Sequence, residues 1–422
     1  MPGSFSTALS ALSAMGTAVD VVGNNLANLN TPGFKASTVS FRDLVTQSMG
    51  SGLGETQVGF GTALPLTFRQ FNQGSVQTSS GLLDAAIQGD GFFIIKDDAG
   101  KTIYTRAGNF LTDKNGNLLT NTGLHVQGWS AINPLTNEVD TVGAVGNIIV
   151  PVGTLKAPTV TTNFTVDMNL DSTAAADATS QYSTPMMVYD SLGTSHVLTL
   201  HFQKTAANQW TYNVTIPGEE VTGGTAGTPF DIVGASGTLT FGSNGKLTDP
   251  AWGAPIAFTI PGLADGASDM NLAWDPYTAA GVARITQYGQ PSASSASSQN
   301  GSAAAQLIRV GLANGGGVLA QYSNGDQVVV AQLALASIRN PDSLLAAGDN
   351  NFALSARTAI PAIGTPGTGG RGTIAGGSIE ASTVDIAQEF THLIVYERGY
   401  QANSRVITTQ DQLSQETINL IH

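Results

Sequence analysis

From Phe5 the large apolar positions run Phe5, Leu9, Leu12, Met15, Val19, Val22, Leu26 and Leu29, at intervals of four, three, three, four, three, four and three. That spacing puts them on one face of an α-helix. Ala8, Ala11, Ala14 and Ala18 widen the stripe, and Pro32 with Gly33 supplies a stop signal. The pattern therefore predicts a helix over Ser4 to Leu29, about 39 Å long at ~1.5 Å per residue. Asp20 is the sole charge on it. A helix facing water needs a charged outer side, so cover is expected on much of this one, from its own domain or from another chain. At the other end Ile386, Phe390, Leu393, Tyr396, Tyr400, Ile407 and Leu413 fall on or near a 3-4 spacing without proline. A second long helix follows. A seam repeating near 3.5 residues suits coiled-coil packing, so the terminal helices are expected to pair with each other or with copies of themselves. Glu397 and Asn403 lie close to the stripe and argue against a simple two-stranded zipper.

Between the ends the pattern shortens to β-branched and aromatic runs punctuated by turns, which is the signature of strands and hairpins. Phe92 to Ile95 precedes Asp97-Asp98-Ala99-Gly100, and Tyr104 to Leu111 precedes Asp113-Lys114-Asn115-Gly116-Asn117, where Asn-Gly marks a hairpin. Further runs at Met186 to Tyr189, His196 to Phe202, Trp210 to Ile216 and Leu239 to Phe241 predict a second all-β unit over 152–286, left through a low-complexity, loop-like stretch from Ser292 to Ser298. Leu307 to Val310, Val318 to Tyr322 and Val328 to Leu335 return to strand patterning and complete the first sheet system. The expected architecture is multidomain α+β: a coiled-coil-like helical core domain (1–30 with 385–422), an extended connector region (31–70 with 361–384), an inner β domain (71–151 with 287–360), and an outer inserted β domain of sandwich or barrel type (152–286). Glycine-rich Met49 to Gly61 and Gly364 to Gly377 read as flexible connectors, since the former lacks the Lys-Ser or Lys-Thr of a phosphate loop.

Composition narrows the function. The 422 residues suffice for two or three domains of roughly 100 to 200 residues each. Only 11% are charged, where about 25% is ordinary, while glycine contributes 50 residues. Seventeen Lys plus Arg against thirty Asp plus Glu leave a net charge of −13, which argues against nucleic acid and anionic membrane as partners. There is no cysteine, hence no disulfide, thiolate metal site or cysteine nucleophile. The first positive charge is Lys35, so no cleavable signal is expected, and no unbroken apolar run reaches the length of about 18 that marks a membrane span.

Catalytic groups are sparse. His125, His196, His201, His392 and His422 form no HExxH pair, and His196 and His201, five apart, point to opposite faces of a strand. Asp113, Asn115 and Asn117 superficially resemble a calcium loop, but the glycine is misplaced and no Glu closes it. No GxSxG elbow occurs, and the pairs Asp97-Asp98 and Glu219-Glu220 sit in turns where solvated charge is the expected role. No enzyme, cofactor or metal is expected on these residues.

The segment Asn24-Asn25-Leu26-Ala27-Asn28-Leu29-Asn30-Thr31-Pro32-Gly33-Phe34-Lys35 resembles the signature of the flagellar rod and hook family of axial proteins. It is joined by Gly89-Asp90-Gly91-Phe92-Phe93, by Tyr104-Thr105-Arg106-Ala107-Gly108-Asn109-Phe110, and by a C-terminal block from Gly377 through Glu380 and Thr383 to Arg398, Tyr400 and Asn403. The stretch Tyr189 to His196, with Phe202-Gln203-Lys204 and Trp210, is similar to an additional domain that the shorter rod proteins lack. The chain departs from the family pattern at Thr383, where Asn is usual, and at Glu397, where Gln is usual. The resemblance implies a non-catalytic structural subunit that polymerises with itself into the curved hollow tube joining rod to filament. It further implies export by the flagellar type III apparatus without a cleaved signal, and contacts with the distal rod, a tube cap, the junction protein of the filament and a length-control protein. Phe5, Leu9, Leu12, Val19, Val22, Leu26, Leu29, Ile386, Phe390, Leu393, Tyr400, Ile407 and Leu413 would form the assembly core. Asn25, Asn28, Thr31, Gly33, Phe34, Lys35, Gly89, Gly91, Phe92, Arg106, Gly108, Glu380, Arg398 and Asn403 carry the family motifs. The rival readings are a distal rod subunit, a secreted β-rich adhesin and, weakest, a glycan-active enzyme.

Overall fold

The computed structural model describes residues 3–44, 46–49, 56–133, 136 and 138–419. Gly50, Gly52 and Gly54 of the first glycine-rich stretch and the terminal His422 lie outside the described residues. The chain divides into two compact units, one of Met1–Val152, Arg309–Gln321 and Gln327–His422, the other of Gly153–Ile308 and Tyr322–Asp326.

The first unit holds two long helices, α1 (Gly3–Ala27) and α2 (Ile386–Asn419). α1 stops at Ala27, two residues before the expected Leu29, because Leu29 turns aside to pack with Phe34, Ala36 and Val384. Asp385 precedes α2 and caps it: its Oδ1 accepts from the amides of Ala387 (2.8 Å) and Gln388 (3.1 Å) and so satisfies two of the unpaired donors of the first turn. The helices pack antiparallel: Asn25 meets Glu389, and Met15 meets Gly399. Continued to Gly3, that register reaches residue 411, so α2 overruns the first described residue of α1 by about 12 Å at ~1.5 Å per residue. Phe5–Ala27 is also long and apolar enough to cross a membrane by length and composition, a property that a search for unbroken apolar runs misses because Ser, Thr and Gly interrupt it.

The β part of this unit is built on strands Phe92–Lys96, Thr102–Thr105, His125–Trp129, Gln327–Leu333 and Asn351–Ala353, joined in one sheet. Phe92 and Ile94 face a core with Tyr104, Trp129, Ala336 and Phe352, while Phe93 and Ile95 are equally buried on the opposite face. Phe93 meets Phe110 edge to face at 5.1 Å. The turn after Thr112 forms as expected, with Asp113 Oδ1 accepting from the amides of Asn115 and Asn117 and Gly116 at φ +84°.

The described residues in and beside the two glycine-rich stretches include paired strands. Thr46–Met49 pairs antiparallel with Thr56–Gly59. Thr373–Gly376 pairs with Ala85–Gln88, and Ser378–Glu380 with Val76–Thr78. The glycines there serve close approach: a β-carbon on Gly372 would overlap the carbonyl of Gln88, and one on Gly376 that of Leu312.

The second unit is a sandwich of two five-stranded sheets. One runs as a meander, Gln181–Tyr189, Ser195–Ala206, Gln209–Pro217, Pro229–Phe241 and Leu247–Asp249. The other centres on Asn163–Asp171, flanked by Met270–Trp274, Ile285–Tyr288 and Ala293–Gln299, with Ile256–Ile260 beside Met270–Trp274. Their facing sides share one core, in which Phe164 stacks on Trp274 at 6.2 Å between Leu200, Phe202 and Tyr212. Ser292 to Ser298, expected as a loop, lies from its second residue onward in the strand Ala293–Gln299 paired with Asn163–Asp171. Its side chains are nearly all exposed Ser and Ala, so the hydrophobic alternation that reveals a strand is missing.

Candidate functional site

The sequence motifs from both ends of the chain converge on one buried carboxylate. Glu380, on the strand Ser378–Glu380, is fully buried, and so is the side chain of Lys35. Lys35 Nζ donates to Glu380 Oε1 at 2.6 Å and to the carbonyl of Asn72 at 2.5 Å. The amide of Gly74 donates to the same Oε1 at 2.8 Å. Arg106 reaches Oε2 at 3.4 Å, donates from Nη2 to the carbonyl of Gly89 at 2.9 Å, and lies over the ring of Phe92 at 5.3 Å. Burial pushes the Lys35 ammonium and the Arg106 guanidinium below their usual ranges, and in each case Glu380 opposes that shift. Charges so deeply withdrawn from water persist only when paired and hydrogen-bonded, and removing one partner costs far more than the pair contributes.

The backbone around this cluster is fixed by the other motif residues. Gly33 adopts φ +68° and donates its amide to the carbonyl of Glu380 at 2.7 Å, while a β-carbon there would come within 2.6 Å of the Arg106 backbone. Gly108 is equally constrained, since its β-carbon would overlap the carbonyl of Ala85. Gly89 and Gly91 both hold positive φ, at +99° and +136°. Thr383 accepts from the amide of Ala36 through Oγ1 at 2.9 Å and donates its own amide to Phe34, so a hydroxyl suffices as acceptor where the family pattern has Asn. Phe34 packs with Ala36, Val384 and Leu29, under the guanidinium of Arg69 at 5.8 Å. Thr31 and Asn28 close the turn that leaves α1, the Thr31 hydroxyl donating to Asn28 Oδ1 at 3.1 Å.

Asn25 carries the cluster into the helices. It is 1% exposed, exchanges hydrogen bonds with the backbone of Ser37, and donates through Nδ2 to Glu389 Oε1 at 2.9 Å. Glu389 is itself buried in the first turn of α2, where its charge suits the helix N-terminus.

The expected apolar stripes are placed less simply. The side chains of α1 buried deepest are small, Ala8, Ala14, Ala18 and Val22. Of the proposed core positions on this helix, Val22 is buried and Leu12, Val19, Leu26 and Leu29 are half-buried, while Phe5 and Leu9 stand 45% and 53% exposed. On α2 the half-buried positions are His392, Leu393, Tyr396, Gly399, Asn403, Ser404, Ile407 and Gln410, whereas Ile386, Phe390, Tyr400 and Leu413 are exposed. Ile394, Val395 and Val406 add to that outward surface. Alanines and Gly399 thus take close positions in the seam beside half-buried Leu12, Leu393, Tyr396 and Ile407, and many of the other bulky residues face away from it. Arg398 is exposed, and Asn403 donates to the carbonyl of Gly399 within its own helix.

In the second unit His196 and His201 lie on opposite faces of Ser195–Ala206, as the spacing requires. His201 bonds to Ser183 and Thr215. His196 is buried between two carboxylates, Asp190 and Glu220, an arrangement that sequence reading misses. The folding of Glu220 onto His196 corrects the expectation that the pair Glu219-Glu220 is merely solvated. A signal was present only in Asp190 and His196 flanking one tight turn.

Four family models match the chain. The Flagella basal body rod protein model covers residues 5–35 and the Flagellar hook protein FlgE/F/G D1 domain covers 86–169. The Flagellar basal body protein FlaE D2 domain covers 159–302, and the Flagellar basal body rod FlgEFG protein C-terminal model covers 375–420. The flagellar hook protein FlgE of Escherichia coli (strain K12) is 32% identical over 430 residues, spanning 99% of each chain. That of Borreliella burgdorferi is 34% identical over 435 residues, spanning 96% of each. The crystal structure of Helicobacter pylori flagellar hook protein FlgE2 superposes with a TM-score of 0.51 at 13% identity, over 71% of this chain and 99% of that one, which shows a shared fold.

Proposed function

As a member of the flagellar hook protein family the chain is a structural subunit of the bacterial flagellar hook, and we propose that its two terminal helices assemble the tube through their outward apolar faces. The rod and adhesin readings yield to relatives named as hook proteins that match over nearly the whole length.

The observation that carries the proposal is the inversion of the helix pair. Ala8, Ala14, Ala18 and Gly399 occupy the intramolecular seam, while Phe5, Leu9, Phe390, Ile394 and Leu413 face outward. Each bulky side chain withdrawn from water gains about 1.5–3 kcal/mol, so a second copy of the same helix pair is the natural cover. Neighbouring copies would then bury what one subunit leaves exposed, and the helices would reach full order only on polymerisation. The buried lock around Glu380 would hold the helices to the β strands of the same unit. The subunit acts mechanically, carrying torque from rod to filament, with no chemical step assigned to any side chain. Its partners are copies of itself, the distal rod, the hook cap, the hook-filament junction protein and the hook-length control protein. It reaches the cell exterior through the flagellar type III apparatus with its N-terminal segment retained.

Phe390→Asp tests the reading. Electron microscopy of purified hook-basal bodies from cells carrying this variant is expected to show rods without hooks, while the secreted chain keeps the circular dichroism of its β units. Intact hooks would overturn it.

A further inference from the structure

The second unit contains a group of side chains that mechanical assembly does not use. Asp190 closes the strand Gln181–Tyr189, is fully buried, and has Oδ1 occupied by the amides of Leu192 and Thr194, each at 2.8 Å. Its Oδ2 is thereby aimed at His196 Nε2, 3.1 Å away. The other ring nitrogen of His196, Nδ1, lies 2.7 Å from Glu220 Oε2. Asp265, on the loop between Ile256–Ile260 and Met270–Trp274, brings its carboxylate near that of Asp190, so that one ligand atom from each of Asp190, His196 and Asp265 lies within 4.8 Å of the others.

We propose that Asp190, His196 and Asp265 bind a divalent transition-metal ion, best matched by zinc, through Oδ2, Nε2 and a carboxylate oxygen. Three features point the same way. Two ligands held at about 2.0–2.1 Å on a tetrahedral ion stand about 3.3 Å apart, close to the separation of Oδ2 and Nε2. Two carboxylates with oxygens within 4.8 Å of each other repel unless a cation or a proton lies between them. Glu220 on Nδ1 supplies the outer carboxylate that fixes the tautomer of a metal-bearing histidine and turns Nε2 toward the ion. A mixed nitrogen and oxygen set of this kind suits zinc and its neighbours better than calcium, which takes oxygen ligands alone. Asp190 and His196 are buried while Asp265 is exposed, so the fourth position opens to water.

The ion would tie the Asp265 loop to the turn after Asp190. Ser268 already donates its amide to Ser191 Oγ at 3.1 Å, and Ala264 to the carbonyl of Glu220 at 2.9 Å. Because His196 belongs to the meander sheet and the Asp265 loop to the other, the site would join the two layers at one edge of the sandwich. This inference is independent of the assembly reading, since every group in it belongs to one subunit.

The test uses the full-length monomeric chain, stripped with chelator and titrated calorimetrically with zinc chloride, then with cobalt(II) as a spectroscopic probe. One equivalent of zinc and the intense visible absorption of four-coordinate cobalt are expected. A hundredfold excess over the dissociation constant should raise the unfolding temperature of the second unit by about 5–10 °C. His196→Gln should abolish binding, and Glu220→Gln should weaken it about 10- to 100-fold. Asp265→Asn alters an exposed side chain, so it decides the matter if the His196 variant fails to fold, and a loss of at least tenfold in affinity is expected. Zinc uptake unchanged in Asp265→Asn and His196→Gln would overturn the proposal. So would the absence of uptake by the stripped, unaltered chain; nitrogen NMR showing both His196 ring nitrogens protonated at pH 8 would then identify a shared proton as what holds the carboxylates together.

Discussion

The sulfur of Met15 on α1 lies 3.2 Å from where a β-carbon on Gly399 of α2 would stand, so the two helices approach each other at a glycine. The thioether is flexible and can give way by a few tenths of an ångström. Gly399→Ala is therefore expected to leave assembly intact, with stability within about 1 kcal/mol of the parent because alanine gains helix propensity. Gly399→Leu should separate the helices and abolish hooks, read by electron microscopy of hook-basal bodies.

Glu380→Ala strands Lys35 and Arg106 in a buried site. A loss of about 3–5 kcal/mol is expected in the urea unfolding of the first unit, with the second unit unchanged. Lys35→Met should cost less, because Arg106 and the amide of Gly74 still face Glu380. Equal losses from the two variants would show that Glu380 is not the hub of the cluster.

Ala18 is 0% exposed at the seam with α2. Ala18→Leu adds bulk where the helices touch and should cost about 1–3 kcal/mol. Leu9→Ala, at a position 53% exposed in the single chain, should leave monomer stability unchanged and weaken only polymerisation. Circular dichroism melts of the helices in the polymer read the first effect, and monomer melts beside sedimentation of the polymer read the second.

Hydrogen exchange on the monomer should find the amides of residues 3–27 and 386–419 exchanging fastest among the regular elements, and those of Phe92–Lys96 and Ser195–Ala206 slowest. Both strands carry rows of buried side chains, whereas every residue from 411 to 419 of α2 is exposed. Strong protection along α2 in the monomer would contradict helices that order on assembly.

Periodicity made the two helices and most strands legible, since both express burial directly in the order of side chains. It was less informative about which face of a helix pairs with which. The bulky stripe from Phe5 to Leu29 attracts attention, yet the alanines beside it take the intramolecular seam, because small residues let helix axes come close. Ala293–Gln299 was invisible for the converse reason, as a strand held by backbone pairing alone carries no hydrophobic code. The lock at Glu380 could be located through its motifs but not drawn. Nothing local in Lys35, Arg106 or Glu380 says that three charges share one dry site. The cluster at His196 was hidden further, since Asp265 arrives from another sheet.

The ion pair between Lys35 and Glu380 spans 345 residues of sequence. A ribosome or an export channel delivering this chain from its N-terminus releases Lys35 early and Glu380 almost last. Until then Gly33, Arg106 and the helix α1 lack the residues that complete their surroundings. The fold thus has a built-in clock: its first unit cannot close before nearly all of the polypeptide has emerged.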